Sequence, residues 1–328
     1  MVTRTNPFEP IYELCNRGNS AWKLENLPDF PTYLDLELTN TCNFRCLMCP
    51  TGNLSQRRNT GFMEDSIYYR ILDEIKEHKT PIRFIRWGEP TTHPKLVEFT
   101  RAAKESGVMC HLNTNGSYLD GQRIDELLRI PLDSIKFSFQ GVDRKSYQEM
   151  RNIDFFDELM STIKLFHKRR GQREFPFIHV STTITYETLE QVEKFREKSS
   201  EFSDLVTVGR TVLGGRISMD EVRLGKEEKE VLKHLISQES LVREHPECPE
   251  VFDKLSINWD GTLTACCTDY DNKMLLGDIR KSPVKKIWRS KKLHEYRTIL
   301  AEMRHGELDL CKDCFDYMSI QTPGLQGV

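Results

Sequence analysis

The sequence predicts an α/β fold: six parallel strands alternating with helices, followed by a small α+β module. Three observations carry this. Short β-branched runs alternate with amphipathic helical stretches from about residue 32 to 213, the connections are short, and the pattern then changes to a hairpin and a helix-rich tail. Strict βα alternation implies parallel strands joined by helical crossovers. At roughly 30 residues per step, six units suit a partial barrel or an open doubly wound sheet.

The strands are expected at "TYLDLELT" (from Thr32), "IRFIRW", "VMCHLN", "SIKFSF", "FIHVSTTIT" and "LVTVGRTV". Helical patterns fill the gaps: "EDSIYYRILDEIKEH", "PKLVEFTRAAKESG", "RIDELLRI", "FFDELMSTIKLFHKR" and "LEQVEKFREKSS". A further helix is expected over 225 to 237. "KLSINWDGTLTACC" then reads as a hairpin with Asp260-Gly261 as its turn, and "VKKIWRSKKLHEYRTILAEMRHG" as a helical tail. The expected organisation is an extension over 1–31, a core over 32–215 and a module over 216–328.

Composition bounds the function. The 328 residues carry a formal charge of -3 and 38% hydrophobic residues, enough for a sizeable core. No electrostatic footprint for nucleic acid is present. No apolar run approaches the roughly 18 residues of a membrane helix, and the N-terminus lacks the apolar segment of a secretory signal. The chain is therefore expected to be cytoplasmic, without nucleic-acid or membrane partners. In a reducing compartment, ten cysteines call for metal or redox chemistry rather than disulfides. Seven fall into two groups, Cys42/Cys46/Cys49 and Cys248/Cys266/Cys311/Cys314, with Cys267 beside the second. Cys15 and Cys110 stand alone and are expected to be small buried hydrophobes.

The first group, Cys42-x3-Cys46-x2-Cys49, directly follows the first strand, at the strand ends where α/β enzymes build their sites. Structural zinc wants four closed ligands. Three cysteines on a cubane [4Fe–4S] cluster leave one iron without a protein ligand. The stretch resembles the radical SAM superfamily, whose C-x3-C-x2-C signature follows the first strand of a partial (β/α)6 TIM barrel. The resemblance implies that S-adenosylmethionine binds the open iron. One electron then breaks its sulfonium C–S bond, and a 5′-deoxyadenosyl radical takes hydrogen from the substrate. An adventitious thiol or zinc site is the rival reading.

Other positions extend the resemblance. "RWGEP" is similar to the family's GGEP stretch, with Gly88 and Glu89 matching and Trp87 replacing the first glycine; the implied contact is to the methionyl amino group. "NTNG" and "SFQGVDRKSYQEMR" are similar to stretches that touch the ribose and methionyl carboxylate, implying roles for Asn115, Ser138 and Arg151. An arginine fork can meet a carboxylate with two hydrogen bonds. A plain turn at Asn115 and a surface ion pair at Arg151 are the structural alternatives. Met48 stands where relatives place an aromatic residue beside the adenine. Gln140 replaces the usual aspartate.

Cys248, Cys266, Cys311 and Cys314 resemble the truncated SPASM, or Twitch, module, which holds an auxiliary [4Fe–4S] cluster. Cys266 is favoured over Cys267 as ligand, and structural zinc is the alternative. Full ligation suits electron transfer from a substrate radical. The whole resembles Twitch dehydrogenases such as those acting on aminocyclitols. It implies two [4Fe–4S] clusters, a flavodoxin- or ferredoxin-type electron donor and a small polar substrate, such as a sugar, cyclitol or nucleotide-linked derivative. Radical epimerase, ribosomal-peptide modification and a non-catalytic iron–sulfur or zinc scaffold are the competing functions. Residues 1–31 are too short for a winged-helix leader-binding domain. Arg210 and Gln140 are the polar candidates for catalysis at the reactive rim, with a plain rim hydrogen bond or ion pair as the alternative.

Overall fold

Polar and apolar residues alternate along the strands, and a strand sends alternate side chains to opposite faces. The computed structural model describes residues 3–213, 217–237, 239, 241–243, 247–248, 250–312, 314 and 318–320. Two short helices come first, α1 (Glu9–Cys15) and α2 (Ser20–Glu25). Six parallel strands follow: β1 (Tyr33–Leu36), β2 (Ile82–Phe84), β3 (Cys110–Thr114), β4 (Ser134–Ser138), β5 (Phe177–Ile184) and β6 (Leu205–Arg210).

Register sorts the two faces. Leu34, Ile82 and Cys110 lie abreast, as do Leu112, Ile135 and Ile178, and then Phe137, Val180 and Val206. This apolar face is buried under the crossover helices α3 (Asp65–Ile75), α4 (Leu96–Glu105), α5 (Gly121–Arg129), α7 (Phe156–Arg170) and α8 (Leu189–Ser200). Helix α3 alone buries Ile67, Tyr68, Ile71, Leu72 and Ile75, and Tyr68 stacks on Phe99 of α4 at 3.9 Å. At about 1.5–3 kcal/mol per buried side chain, such stripes hold the helices on the sheet.

The opposite face is polar. Asp35, Arg83 and His111 lie abreast, then Asn113, Lys136 and His179, then Ser138, Ser181 and Thr207. Apolar layers usually fill a closed (β/α)8 barrel; here the inner face of a partial barrel leaves a polar cavity. The N-terminal extension closes its lower end, where Phe8 packs edge-on against His111 at 5.7 Å.

Three helices had no counterpart in the sequence reading: α1 and α2 in the N-terminal extension, and one after β4. Helix α6 (Arg144–Arg151) starts at a capping box in which Asp143 and Ser146 satisfy each other's backbone. Beyond β6 come α9 (Lys226–Ser237) and β7 (Leu241–Arg243), then the hairpin β8 (Lys254–Ile257) and β9 (Thr262–Thr264), and β10 (Leu275–Asp278). Gly261, at φ +82°, makes the hairpin turn as expected. Helices α10 (Val284–Trp288) and α11 (Lys291–Ala301) follow, and β11 (Met318–Ile320) pairs with β7.

The second module does not merely pack against the first. Strand β8 pairs in parallel with β1, from Tyr33 opposite Lys254 to Leu36 opposite Ile257. One nine-stranded sheet therefore runs β10-β9-β8-β1-β2-β3-β4-β5-β6. The expected boundary at 215/216 lies outside the described residues. No helix among the described residues is long and apolar enough to cross a membrane.

Candidate active site between two thiol groups

The loop after β1 carries Cys42, Cys46 and Cys49, and all three line a cavity of about 380 Å³ over the polar face of the sheet. The loop is tightly built. A Cβ on Gly52 would come within 2.3 Å of the Cys46 carbonyl oxygen, and one on Gly88 within 2.0 Å of that of Thr39. Gly88 is thus explained by close backbone approach. N–H groups point at the sulfurs: Phe44 N to Cys42 Sγ at 3.4 Å, Asn115 Nδ2 to Cys42 Sγ at 3.8 Å, Arg151 Nη1 to Cys46 Sγ at 3.7 Å. Burial pushes the Cys42 thiol up to about 12 and also raises Cys46. Buried thiols of this kind ionise readily only when a metal takes the charge.

The other expected cofactor contacts all line this cavity: Met48, Gly88, Glu89, Asn115, Ser138 and Arg151. Several are already committed to protein partners. Glu89 accepts from Thr91 N and Oγ1, Thr114 Oγ1 and Asn115 N, which ties the end of β2 to that of β3. Burial raises its pKa, against those hydrogen bonds. Three of the four bonds fall on Oε1, so Oε2 keeps room for another donor. Asn115 accepts from Ser117 and donates to Asn43, while Ser138 Oγ donates to Asn113 Oδ1 at 3.0 Å.

Arg151, at the end of α6, gives one N–H of Nη1 to Cys46 Sγ and one of Nη2 to the Ser138 carbonyl oxygen, while Nε has no partner among the described residues. Trp87, replacing the family's glycine, lines the cavity and stands edge-on to Tyr270 at 5.8 Å. Arg86 before it has φ +146° and is held by Thr264 Oγ1 at 3.0 Å and the Asp269 carbonyl at 2.8 Å.

The two catalytic candidates separate. Gln140 lines the cavity, but its amide nitrogen donates to Thr183 and Thr211, a structural tie at the rim. Arg210 is corrected: it pairs in register with Ile184, on the face away from the cavity. Strand period decides this. Thr183 lines the cavity opposite Gly209, and Thr211 reaches the rim beside Gln140. Reading the end of β6 one residue out turns the side chain to the wrong side.

Sequence reasoning missed Arg83, Lys136 and Cys267, which also line the cavity. The signal for Lys136 was in "SIKFSF", where Ser134, Lys136 and Ser138 alternate against Ile135 and Phe137. Arg83 is fixed by two hydrogen bonds to Asp35, at 2.7 and 3.0 Å.

Cys248, Cys266, Cys311 and Cys314 line one enclosed pocket with Glu250, Thr268 and Met274. Cys267 lines the larger cavity instead; its thiol donates to Glu250 Oε2 at 3.1 Å and accepts from Lys254 Nζ at 3.6 Å. Geometry thus groups Cys266, not Cys267, with the other three. Thr268 lines both spaces. Burial pushes Cys248 up to about 12 and Cys311 up to about 11. Among the described residues, no three His, Cys, Asp or Glu side chains gather around a point for a single ion. A tetrahedral zinc would need sulfurs about 3.8 Å apart, given Zn–S near 2.3 Å; a cubane spreads them over separate irons. Both thiol groups, buried and supplied with N–H donors, fit iron–sulfur clusters. The isolated Cys15 and Cys110 are buried, as small hydrophobes are.

Known proteins agree with this geometry. The 2-deoxy-scyllo-inosamine dehydrogenase of Niallia circulans, dependent on S-adenosyl-L-methionine, is 23% identical over 88% of this chain and 94% of its own. The AdoMet-dependent heme synthase of Methanosarcina barkeri is 26% identical over 52% of this chain, which spans 48% of that protein. Among solved structures, BtrN in complex with AdoMet and 2-DOIA has the same fold, with TM-score 0.57 and 18% identity over 87% of this chain and 93% of BtrN. Residues 36–198 match the Radical SAM superfamily and residues 248–315 the SPASM iron–sulfur cluster-binding domain. The chain therefore belongs to the radical SAM superfamily, as an enzyme with a SPASM domain whose cofactors are [4Fe–4S] clusters and S-adenosylmethionine.

Proposed function

We propose that the protein is an oxidoreductase that removes two electrons from a small polar substrate, turning an alcohol or amine carbon into a carbonyl or imine. The observation that carries this is the single cavity of about 380 Å³ walled by Cys42, Cys46 and Cys49 on one side and by Cys267 and Thr268 on the other. Thr268 also borders the pocket of the second thiol group, so a substrate held there lies between the two. A concave site of this size suits a small molecule.

In this reading Cys42, Cys46 and Cys49 hold the first cluster, and Cys248, Cys266, Cys311 and Cys314 hold the second. When bound, the first cluster and S-adenosylmethionine supply one-electron reduction and hydrogen-atom abstraction, and the second supplies an electron acceptor. The chain's own residues position and seal. Glu89 would hold the methionyl ammonium, Arg151 its carboxylate, and Met48 would lie against the adenine. Trp87 and the polar strand face bound the space left for substrate. A flavodoxin- or ferredoxin-type protein is the proposed electron donor.

A second reading, epimerisation, is favoured by one observation: Cys267 puts a thiol into the cavity wall outside the four-cysteine pocket. Such a thiol could return hydrogen to a substrate radical. Anaerobic reconstitution with S-adenosylmethionine and a strong reductant tests both readings on a panel of sugars and cyclitols in deuterated water. Oxidation gives a product two mass units lighter, with no solvent deuterium on carbon and stoichiometric 5′-deoxyadenosine. Deuterium on a carbon of unchanged oxidation state overturns it in favour of epimerisation, and absence of 5′-deoxyadenosine overturns both.

A further inference from the structure

Every ionised side chain in the cavity wall has a protein partner except one. Asp35 and Arg83 hold each other, Arg86 faces Glu37 at 3.7 Å, Glu89 is saturated on one oxygen, and Arg151 is tied to Cys46 and Ser138. Lys136, partly buried in the middle of β4, lines the same cavity with no hydrogen-bond or ion-pair partner among the described residues.

Its surroundings do not neutralise it. Asn113 on β3 and His179 on β5 flank it. Burial and Lys136 itself drive His179 down to about 3, so the imidazole is neutral and bonds Thr207 at 2.7 Å. On β1 and β2, Asp35 faces both Arg83, at 2.7 Å, and Lys254 of β8, at 3.5 Å; Lys254 also meets Glu250 at 2.5 Å. Two carboxylates thus balance two cations, and the Lys136 ammonium is left over. Burial, then Arg83, lower its pKa to about 8, against weaker opposite pulls from Asp35 and Cys267. It is still mostly charged at neutral pH, and a desolvated ammonium without a counter-ion is costly.

We propose that Lys136 receives an anionic group of the substrate, a carboxylate or a phosphate, on the floor of the barrel cavity. This rests on the reading that the cavity is the substrate site, and it narrows the class to acids and phosphate esters of polyols rather than neutral or amino polyols. Ser138, whose carbonyl takes Arg151 beside Cys46, lies two residues further along the same strand. The Lys136 backbone therefore lies about 6–7 Å below that of Ser138, at 3.3 Å per strand residue. The reacting carbon is several bonds from the charge, as in a sugar phosphate or a uronic acid.

The test reads binding, not turnover. Reconstituted enzyme with S-adenosylmethionine and no reductant is titrated calorimetrically with inorganic phosphate, glucose 6-phosphate and glucuronate, and with neutral inositol and cationic glucosamine as controls. Competitive acetylation followed by mass spectrometry gives the apparent pKa of Lys136 with and without each probe. Expected are saturable binding of at least one anionic probe, an upward pKa shift of about a unit on binding, and at least tenfold weaker binding in Lys136→Gln. Lys136→Arg should keep binding within a few-fold, and both variants should keep wild-type iron, with Lys136→Gln melting no lower than wild type. Equal binding of the anions to Lys136→Gln, tighter binding of inositol or glucosamine, or no protection of Lys136 by any anion overturns the proposal. The oxidation reading fails or stands separately, in the deuterated-water assay with reductant, and its failure would leave anion binding through Lys136 unaffected.

Discussion

Gly88→Ala is the most direct probe of how the first thiol loop is built. The added Cβ would lie 2.0 Å from Thr39 O, 2.7 Å from Thr39 C and 2.8 Å from Thr41 O, all backbone atoms. A carbon–oxygen contact needs more than 3 Å, so one chain or the other must move by about 1 Å, and no flexible side chain can absorb it. Overpacking of this kind costs typically 1–3 kcal/mol, and this case belongs near 3. The displaced segment leads into Cys42, so the loss should fall on one cluster. Gly209→Ala is the matched control, since its Cβ meets only Thr183 Cγ2 at 3.5 Å, an ordinary contact. Reconstituted wild type should carry about eight irons, four per cubane. Gly88→Ala should drop toward four and melt several degrees lower, with Gly209→Ala close to wild type. Full iron content and an unchanged melting temperature in Gly88→Ala would refute the close-approach argument.

Two further outcomes are expected. Cys311→Ser should remove about four irons while sparing S-adenosylmethionine cleavage, whereas Cys267→Ser should keep the full complement; iron loss in Cys267→Ser would reverse the ligand assignment. Asp35 is held at about 2, because Arg83 and Lys254 outweigh the opposing effect of burial. A depressed carboxyl contributes stability that is present above its unfolded value near 4 and lost as pH falls through 2, here about 2 kcal/mol. Asp35→Asn should therefore melt lower than wild type at pH 7, with the gap closing as the pH is lowered through that window; a gap independent of pH would contradict the pairing.

The six parallel strands and their helices were legible because period-2 and period-3.6 patterns are local. So was the chemistry of the first thiol group, whose spacing is local; the second, spread from Cys248 to Cys314, was legible only through its resemblance to a known module. Three things were not. Pairing of β8 with β1 joins residues more than 200 apart in the chain, and nothing in either strand names its neighbour. The facing of Arg210 turned on a single residue of register that only the pairing with β5 fixes. The place of Cys267 in the wall of the larger cavity depends on which way consecutive residues point after β9, which their identity does not specify. Lys136 was legible in principle, as a polar residue at an inward position of β4, but its isolation depended on four other strands neutralising their own charges.

The shared sheet also bears on how the two redox centres relate. A tethered domain would let the gap between them breathe with its linker. Here that gap is set by the ladder of backbone hydrogen bonds between β1 and β8. Deleting the C-terminal third would do more than discard an electron acceptor: it would strip one wall from the reaction chamber and leave β1 as a naked edge, a template for aggregation.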